Sequence, residues 1–205
     1  MAKILSTFKD GTRAAFDPLG RSLVRAGISP DAVTVVGTAG VVAVSVIFAG
    51  RGQLLIATLA ITAFALLDVV DGAMARARGY STKFGGVLDS TMDRVADGAV
   101  FGALAWWLGQ TGQGVLAGVT IFCLVGGQVV SYVKARAEGA GLRCDVGIAE
   151  RLERLVLLGI GGLLHGVGVS WGLGAALWLL AVLTAITITQ RLLYVRKQDR
   201  AAVNP

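Results

Sequence analysis

Four aspartates carry the chemistry open to this chain. They fall within LLDVVDGAMARARGYSTKFGGVLDSTMDRVADG, Leu66 to Gly98. Asp68, Asp71 (with Gly72) and Ala75–Arg76 recur at i, i+3/i+4 and i+7/i+8, one face of a helix. Gly85, Asp89 and Asp93 recur at i, i+4 and i+8, again one face. The flanking residues are apolar enough to enter a bilayer, where an ionised carboxylate must face a partner or a wet cavity. Four like charges packed together need compensation, and two divalent cations would supply it. Ligation by oxygen alone, with neither His nor thiolate, favours Mg²⁺ or Mn²⁺ over zinc. Such a metal pair is the usual device for stabilising both oxygens of a phosphoryl displacement. A purely structural ion-pair network is the weaker reading, because Arg76, Lys83 and Arg94 could not neutralise the four acids together with Asp97. Asp97 continues the series from Asp93 and reads as a structural partner for Arg94.

The elements that must hold these acids are apolar helices. The chain has 205 residues, 55% of them hydrophobic, which suits a polytopic membrane protein rather than a soluble domain. Six apolar stretches are expected as spans: Ala32–Ala49, Leu54–Ala75, Phe84–Leu108, Val115–Ala137, Leu152–Val169 and Trp171–Val195. Ahead of them, Ser6–Gly27 alternates Phe8, Phe16, Leu19 and Leu23 with Lys9, Arg13, Arg21 and Arg25 at helical spacing, the pattern of an interfacial amphipathic helix. The fold class expected is thus an all-α integral membrane protein, six transmembrane helices preceded by an N-terminal amphipathic interfacial helix. Residues 1–30 form a juxtamembrane segment, 31–196 the membrane domain and 197–205 a tail. Asp31 is placed as the N-cap of the first span. The N-terminal segment lacks the apolar core of a signal peptide. If the second span descends to Arg76 and the third returns from Gly85, Asp68 and Asp93 each lie about 12 Å below the connecting loop. Gly72 and Gly85, without side chains, would let a ligand or a neighbouring backbone approach closely.

Basic residues set the orientation. Those before the first span, between the second and third, between the fourth and fifth, and after the sixth all fall on one side; the other side has Arg51 alone. By the positive-inside rule that basic side, with both termini, is cytoplasmic. No nucleic-acid partner is expected. Cys123, Cys144 and His165 have no metal-ligand, redox or triad spacing and read as structural.

The run Asp68-x-x-Asp71-Gly72-x-x-Ala75-Arg76, eight residues, Gly85-x-x-x-Asp89-x-x-x-Asp93 resembles the complete signature of the CDP-alcohol phosphotransferases. That resemblance implies roles. Asp68, Asp71 and Asp89 would hold one metal, and Asp71, Asp89 and Asp93 the second. Asp93 would also deprotonate the attacking hydroxyl. Gly72, Arg76 and Gly85 would contact the CDP moiety of the lipid donor, joined by Asp31, Ala32, Val33 and Thr34 at the start of the first span and by Thr82 in the loop.

A second polar cluster bears on the acceptor. Lys134, Arg151 or Arg154, and Arg191 lie at the cytoplasmic ends of three expected spans. Snorkelling anchors account for any one of them; three cations turned toward one cavity would suit a phosphorylated acceptor. Phe84–Gly98, SYVKARAE, the following GLR and ERLERL resemble the phosphatidylinositol phosphate synthases of actinobacteria within that family. The likeness implies a bacterial plasma-membrane homodimer in which inositol 1-phosphate (D-myo-inositol 3-phosphate) attacks CDP-diacylglycerol. The products it implies would be phosphatidylinositol phosphate and CMP. Lys134, Arg154 and Arg191 would hold the acceptor phosphate, with Arg136 and Arg151 next in line. Glycerol 3-phosphate as acceptor stays open, since it too carries a phosphate. A divalent-cation transporter is the remote alternative: transport sites usually sit near the midplane on interrupted helices.

Overall fold

A computed structural model of the chain describes residues 17–78 and 82–203, without the side chains of Leu66, Asp68, Val69, Asp71, Ala202 and Val203. The described residues are helical apart from short connections. Residues 17–25 form α1. It is followed by α2 (Pro30–Ile47), a 3₁₀ turn (Ala49–Arg51), α3 (Leu54–Arg78), α4 (Lys83–Gln110), α5 (Gly114–Gly139), α6 (Arg151–Gly166) and α7 (Ser170–Val203). Each of the six expected apolar stretches is therefore a helix. Of the expected interfacial segment, residues 17–25 are helical as α1; Ser6 to Phe16 lie outside the described residues.

Among the described residues three stretches, Pro30–Arg51, Gly114–Gly139 and Ser170–Ala201, are long and apolar enough to cross a membrane. The helices α3 and α4 carry the acids and cations of the signature, and α6 has 16 residues, about 24 Å of helix against an apolar core of about 30 Å.

One expectation is corrected at the start of α2. The N-cap is Ser29, not Asp31: Ser29 Oγ accepts the Ala32 N–H at 3.1 Å. Pro30 then occupies the first helical position, where its missing N–H costs nothing. With the cap supplied by Ser29, the Asp31 carboxylate is available for other contacts.

Two compact units divide the chain: Met1–Ile47 with Leu59–Val100, and Phe48–Thr58 with Phe101–Pro205. In the first, small residues let helices approach. A Cβ at Gly20 of α1 would stand 2.9 Å from the Ala73 carbonyl carbon of α3, and one at Gly40 of α2 would run into the Phe64 ring. In the second, a Cβ at Gly126 of α5 would lie 2.6 Å from Thr184 Cγ2 of α7, and one at Gly161 of α6 would lie 2.6 Å from Ala176 Cβ. Close approach through Gly, Ala and Thr is how helices pack where lipid offers no hydrophobic drive between them.

The polarity of the surfaces agrees. Ser45, Thr120, Thr184 and Thr187 are fully buried, while Val36, Leu59, Val125 and Val182 are more than half exposed. Two of these buried hydroxyls, and that of Thr187, bond within their own helices: Ser45 donates to Val41 O and Thr120 to Leu116 O, both at 2.7 Å, and Thr187 to Leu183 O at 2.8 Å. Cys123 and Cys144 are both buried thiols. His165, one residue before the end of α6, meets Trp107 edge-on with ring centroids 5.4 Å apart.

Candidate active site

The signature lies on two uninterrupted helices. Asp68, Asp71, Gly72 and Arg76 belong to α3, and Gly85, Asp89 and Asp93 to α4. Helical register alone places Asp68 and Asp71 on one face of α3 and Asp89 and Asp93 on one face of α4. The Asp68 and Asp71 side chains are outside the described part. Asp89 is exposed and Asp93 half-buried, and Arg94 Nη2 approaches Asp93 Oδ2 at 3.6 Å. Among the described residues no three His, Cys, Asp or Glu side chains are grouped as metal ligands; two of the four expected ligands are not among those side chains. The donor set fits a hard divalent cation: only carboxylate oxygens, two per helix, on faces fixed by continuous backbone.

At the start of α4 the structure gathers three residues expected to touch the nucleotide. Thr82 caps the helix, its Oγ1 accepting the Gly85 N–H at 2.9 Å. A Cβ at Gly85 would stand 2.9 Å from Thr82 Oγ1 and 3.3 Å from Asp31 Oδ1. Asp31, Thr82 and Gly85 thus meet around one point from which a side chain is absent. Thr34, one turn into α2, turns its hydroxyl back to Pro30 O at 3.2 Å, and Ala32 and Val33 lie in the same first turn. Introducing a side chain at Gly85 tests this crowding: Gly85→Val is expected to raise the KM for CDP-diacylglycerol by about tenfold or more. Parallel thermal unfolding separates that loss from misfolding, and an unchanged KM would remove Gly85 from the donor site.

The other residues expected to contact the nucleotide, Gly72 and Arg76, lie toward the end of α3. Gly72 is spaced from Arg76 so that a Cβ there would rest 3.5 Å from Arg76 Nη1. Arg76 Nη2 is 3.2 Å from Asp17 Oδ1 of α1, and Arg78 Nη2 donates to Ile28 O at 2.9 Å. Sequence reasoning did not pick out Asp17, because an ion pair across 59 residues leaves no local pattern.

The cations expected at the acceptor lie in the second unit, and three of them converge on residues 145–150. Lys134 Nζ is 3.5 Å from Asp145 Oδ1. Arg154, 1% exposed, points Nη1 at Ala149 O from 3.4 Å, over Gly127, where a Cβ would come within 3.1 Å of its Nε. Arg191, 3% exposed, donates to Val130 O at 2.6 Å, to Val146 O at 2.8 Å and to Glu150 Oε1 at 2.9 Å. Arg136 is exposed and Arg151 half-buried at the first residue of α6. Charged groups this deep stand only with partners: Arg154 faces the Ala149 carbonyl, and Arg191 the carbonyls of Val130 and Val146 and the Glu150 carboxylate.

The chain belongs to the CDP-alcohol phosphatidyltransferase family, whose model it matches over residues 27–193; it is an enzyme of that class. The phosphatidylinositol phosphate synthase of Mycobacteroides abscessus is 48% identical over 90% of this chain and 85% of its own. That of Streptomyces avermitilis is 48% identical over 90% of this chain and 79% of its own. The Mycobacterium tuberculosis phosphatidylinositol phosphate synthase crystallised with CDP-DAG bound is 43% identical and superposes with a TM-score of 0.84, over 88% of this chain and 92% of that one. The same enzyme in complex with manganese and citrate gives a TM-score of 0.82 at 42% identity, over 88% of each chain.

Proposed function

We propose that this enzyme transfers the phosphatidyl group of CDP-diacylglycerol to inositol 1-phosphate, releasing CMP and forming phosphatidylinositol phosphate. The observation that carries the choice of a phosphorylated acceptor is the gathering of Lys134, Arg154 and Arg191 around residues 145–150. Relatives that share close to half its sequence bear the name of that activity.

In this reading Asp31, Thr82 and Gly85 receive one part of the CDP group, and Gly72 and Arg76 another. Arg76 would exchange its exposed Asp17 partner for a donor phosphate, an exchange that costs little because such surface pairs are worth about 0–1 kcal/mol. Two divalent cations, Mg²⁺ or Mn²⁺, held by Asp68, Asp71, Asp89 and Asp93, would supply charge neutralisation at the phosphates. Asp93 takes the proton of the inositol hydroxyl, whose oxygen then bonds to the β-phosphorus as the bond to the CMP oxygen breaks. Lys134, Arg154 and Arg191, with Arg136 and Arg151 behind them, hold the acceptor's phosphate and so orient the attacking hydroxyl. Asp145 and Glu150 keep this basic group partly neutralised until the phosphate arrives.

The setting is a bacterial plasma membrane with six spans, α2 to α7, and the amphipathic segment containing α1 at the interface. Both termini and the active site face the cytoplasm, and the protein acts as a homodimer. The distribution of basic residues supports the orientation, and the apolar outer surfaces support the spans.

The test is product formation by the purified protein with CDP-diacylglycerol, Mg²⁺ and one of inositol 1-phosphate, free inositol or glycerol 3-phosphate. CMP release is expected with inositol 1-phosphate and at least about a hundredfold less with free inositol, since the buried cations would lose their anion. Turnover with glycerol 3-phosphate instead would keep the chemistry and overturn the acceptor.

A further inference from the structure

The connection between α5 and α6, residues 140–150, has no regular structure, yet Cys144 and Ala149 within it are buried, 0% and 1% exposed. Buried backbone without a ladder needs partners for its N–H and C=O groups. Here α7 supplies them. The Thr187 hydroxyl accepts the N–H of Ile148 at 3.2 Å and of Ala149 at 3.0 Å, and donates to Leu183 O at 2.8 Å. The Gln198 amide pairs with both backbone groups of Arg143, accepting its N–H at 3.1 Å and donating to its carbonyl at 2.6 Å. Between them Arg191 takes the Val146 carbonyl and the Glu150 carboxylate. Positions 187, 191 and 198 are spaced i, i+4 and i+11, a single face of α7. The fit is close: at Gly147, with φ +138, a Cβ would stand 2.7 Å from Thr187 Cγ2.

This polar stripe ends where the acceptor cations begin. Ala149 and Glu150 lead directly into Arg151 and Arg154, and Ala149 gives Thr187 its N–H while its carbonyl receives Arg154 Nη1. Glu150, at the cap position of α6, makes no side-chain cap and goes to Arg191 instead. The start of α6 is thus held from α7 rather than by its own cap.

We propose that Thr187 and Gln198 are positioning residues for the acceptor: from α7 they hold the 143–149 stretch so that Arg151 and Arg154 are presented at a fixed place to the acceptor phosphate. This rests on the reading of those arginines as acceptor ligands. Neither residue touches the acceptor. Thr187→Val keeps the shape of the side chain and removes the hydroxyl; Thr187→Ser keeps the hydroxyl.

The experiment is steady-state kinetics on the full-length protein, with the KM for inositol 1-phosphate and for CDP-diacylglycerol measured separately. Thr187→Val is expected to raise the acceptor KM about tenfold, with the donor KM within about twofold and Thr187→Ser within about threefold of the parent. Gln198→Leu, at a half-buried site nearer the end of α7, is expected to raise the acceptor KM about threefold and carries the test by the same split if Thr187→Val does not fold. Donor and acceptor KM moving together, or neither moving, would overturn the proposal. Parent protein that uses only glycerol 3-phosphate would sink the inositol reading alone; the split is then read with glycerol 3-phosphate, and positioning stands or falls on it.

Discussion

Asp93→Asn is expected to lower CMP release by about a thousandfold or more, the combined loss of a proton acceptor and a charged metal ligand. Asparagine has nearly the volume of aspartate, so packing is spared; its amide neither takes the proton of an attacking hydroxyl nor offers a full negative charge to a cation. The side chain is only 18% exposed and sits beside Arg94 at 3.6 Å, so the substitution leaves that guanidinium with a weaker partner. The position lies inside α4, which runs unbroken from Lys83 to Gln110, and thermal unfolding measured in parallel separates loss of catalysis from loss of fold. The measurement is CMP release beside retained CDP-diacylglycerol binding. Activity within tenfold of the parent would falsify the role of Asp93 as base.

Removal of divalent cations has the other large expected effect. Exhaustive chelation should abolish turnover, and Mg²⁺ or Mn²⁺ should restore it. Without a cation, the four carboxylates proposed to share the site would repel both one another and the donor's phosphates. At an effective dielectric of about 20, one pair of unit charges 4 Å apart already costs about 4 kcal/mol, close to a thousandfold in rate. Asp89→Asn should raise the metal concentration for half-maximal activity by at least about tenfold, since one anionic ligand is lost from a set without nitrogen or sulfur donors. Turnover that persists through chelation would overturn the metal assignment and leave a carboxylate-only site to be explained.

Much of the candidate active site is legible along the chain because its residues are local. Asp68 to Asp93 span two neighbouring helices joined by a short loop, and helical periodicity alone puts the acids on common faces. The six apolar helices were legible for the same reason, while their ends were less so: the cap of α2 is Ser29 rather than Asp31, since Ser29, Pro30 and Asp31 compete within three residues and only backbone geometry decides which oxygen reaches the Ala32 N–H. Asp31 proved to have a different neighbour, Gly85, on another helix.

What the sequence by itself determined is the chemistry: the carboxylate set, its spacing on two helices, the apolar stretches around it and the family to which they belong. Covalent spacing and helical pitch suffice for that. The partners of the buried cations came only from tertiary structure. Nothing in the local pattern around Arg191 tells that its guanidinium meets Val130, Val146 and Glu150, 41 to 61 residues away. Nor does Thr187, one of three threonines between Leu183 and Gln190, declare that it holds two N–H groups of a distant loop. A buried polar group takes its partner from whatever the packing of α5, α6 and α7 brings within 3 Å or so, and that packing is set by side-chain shape over the whole bundle rather than by neighbours in sequence.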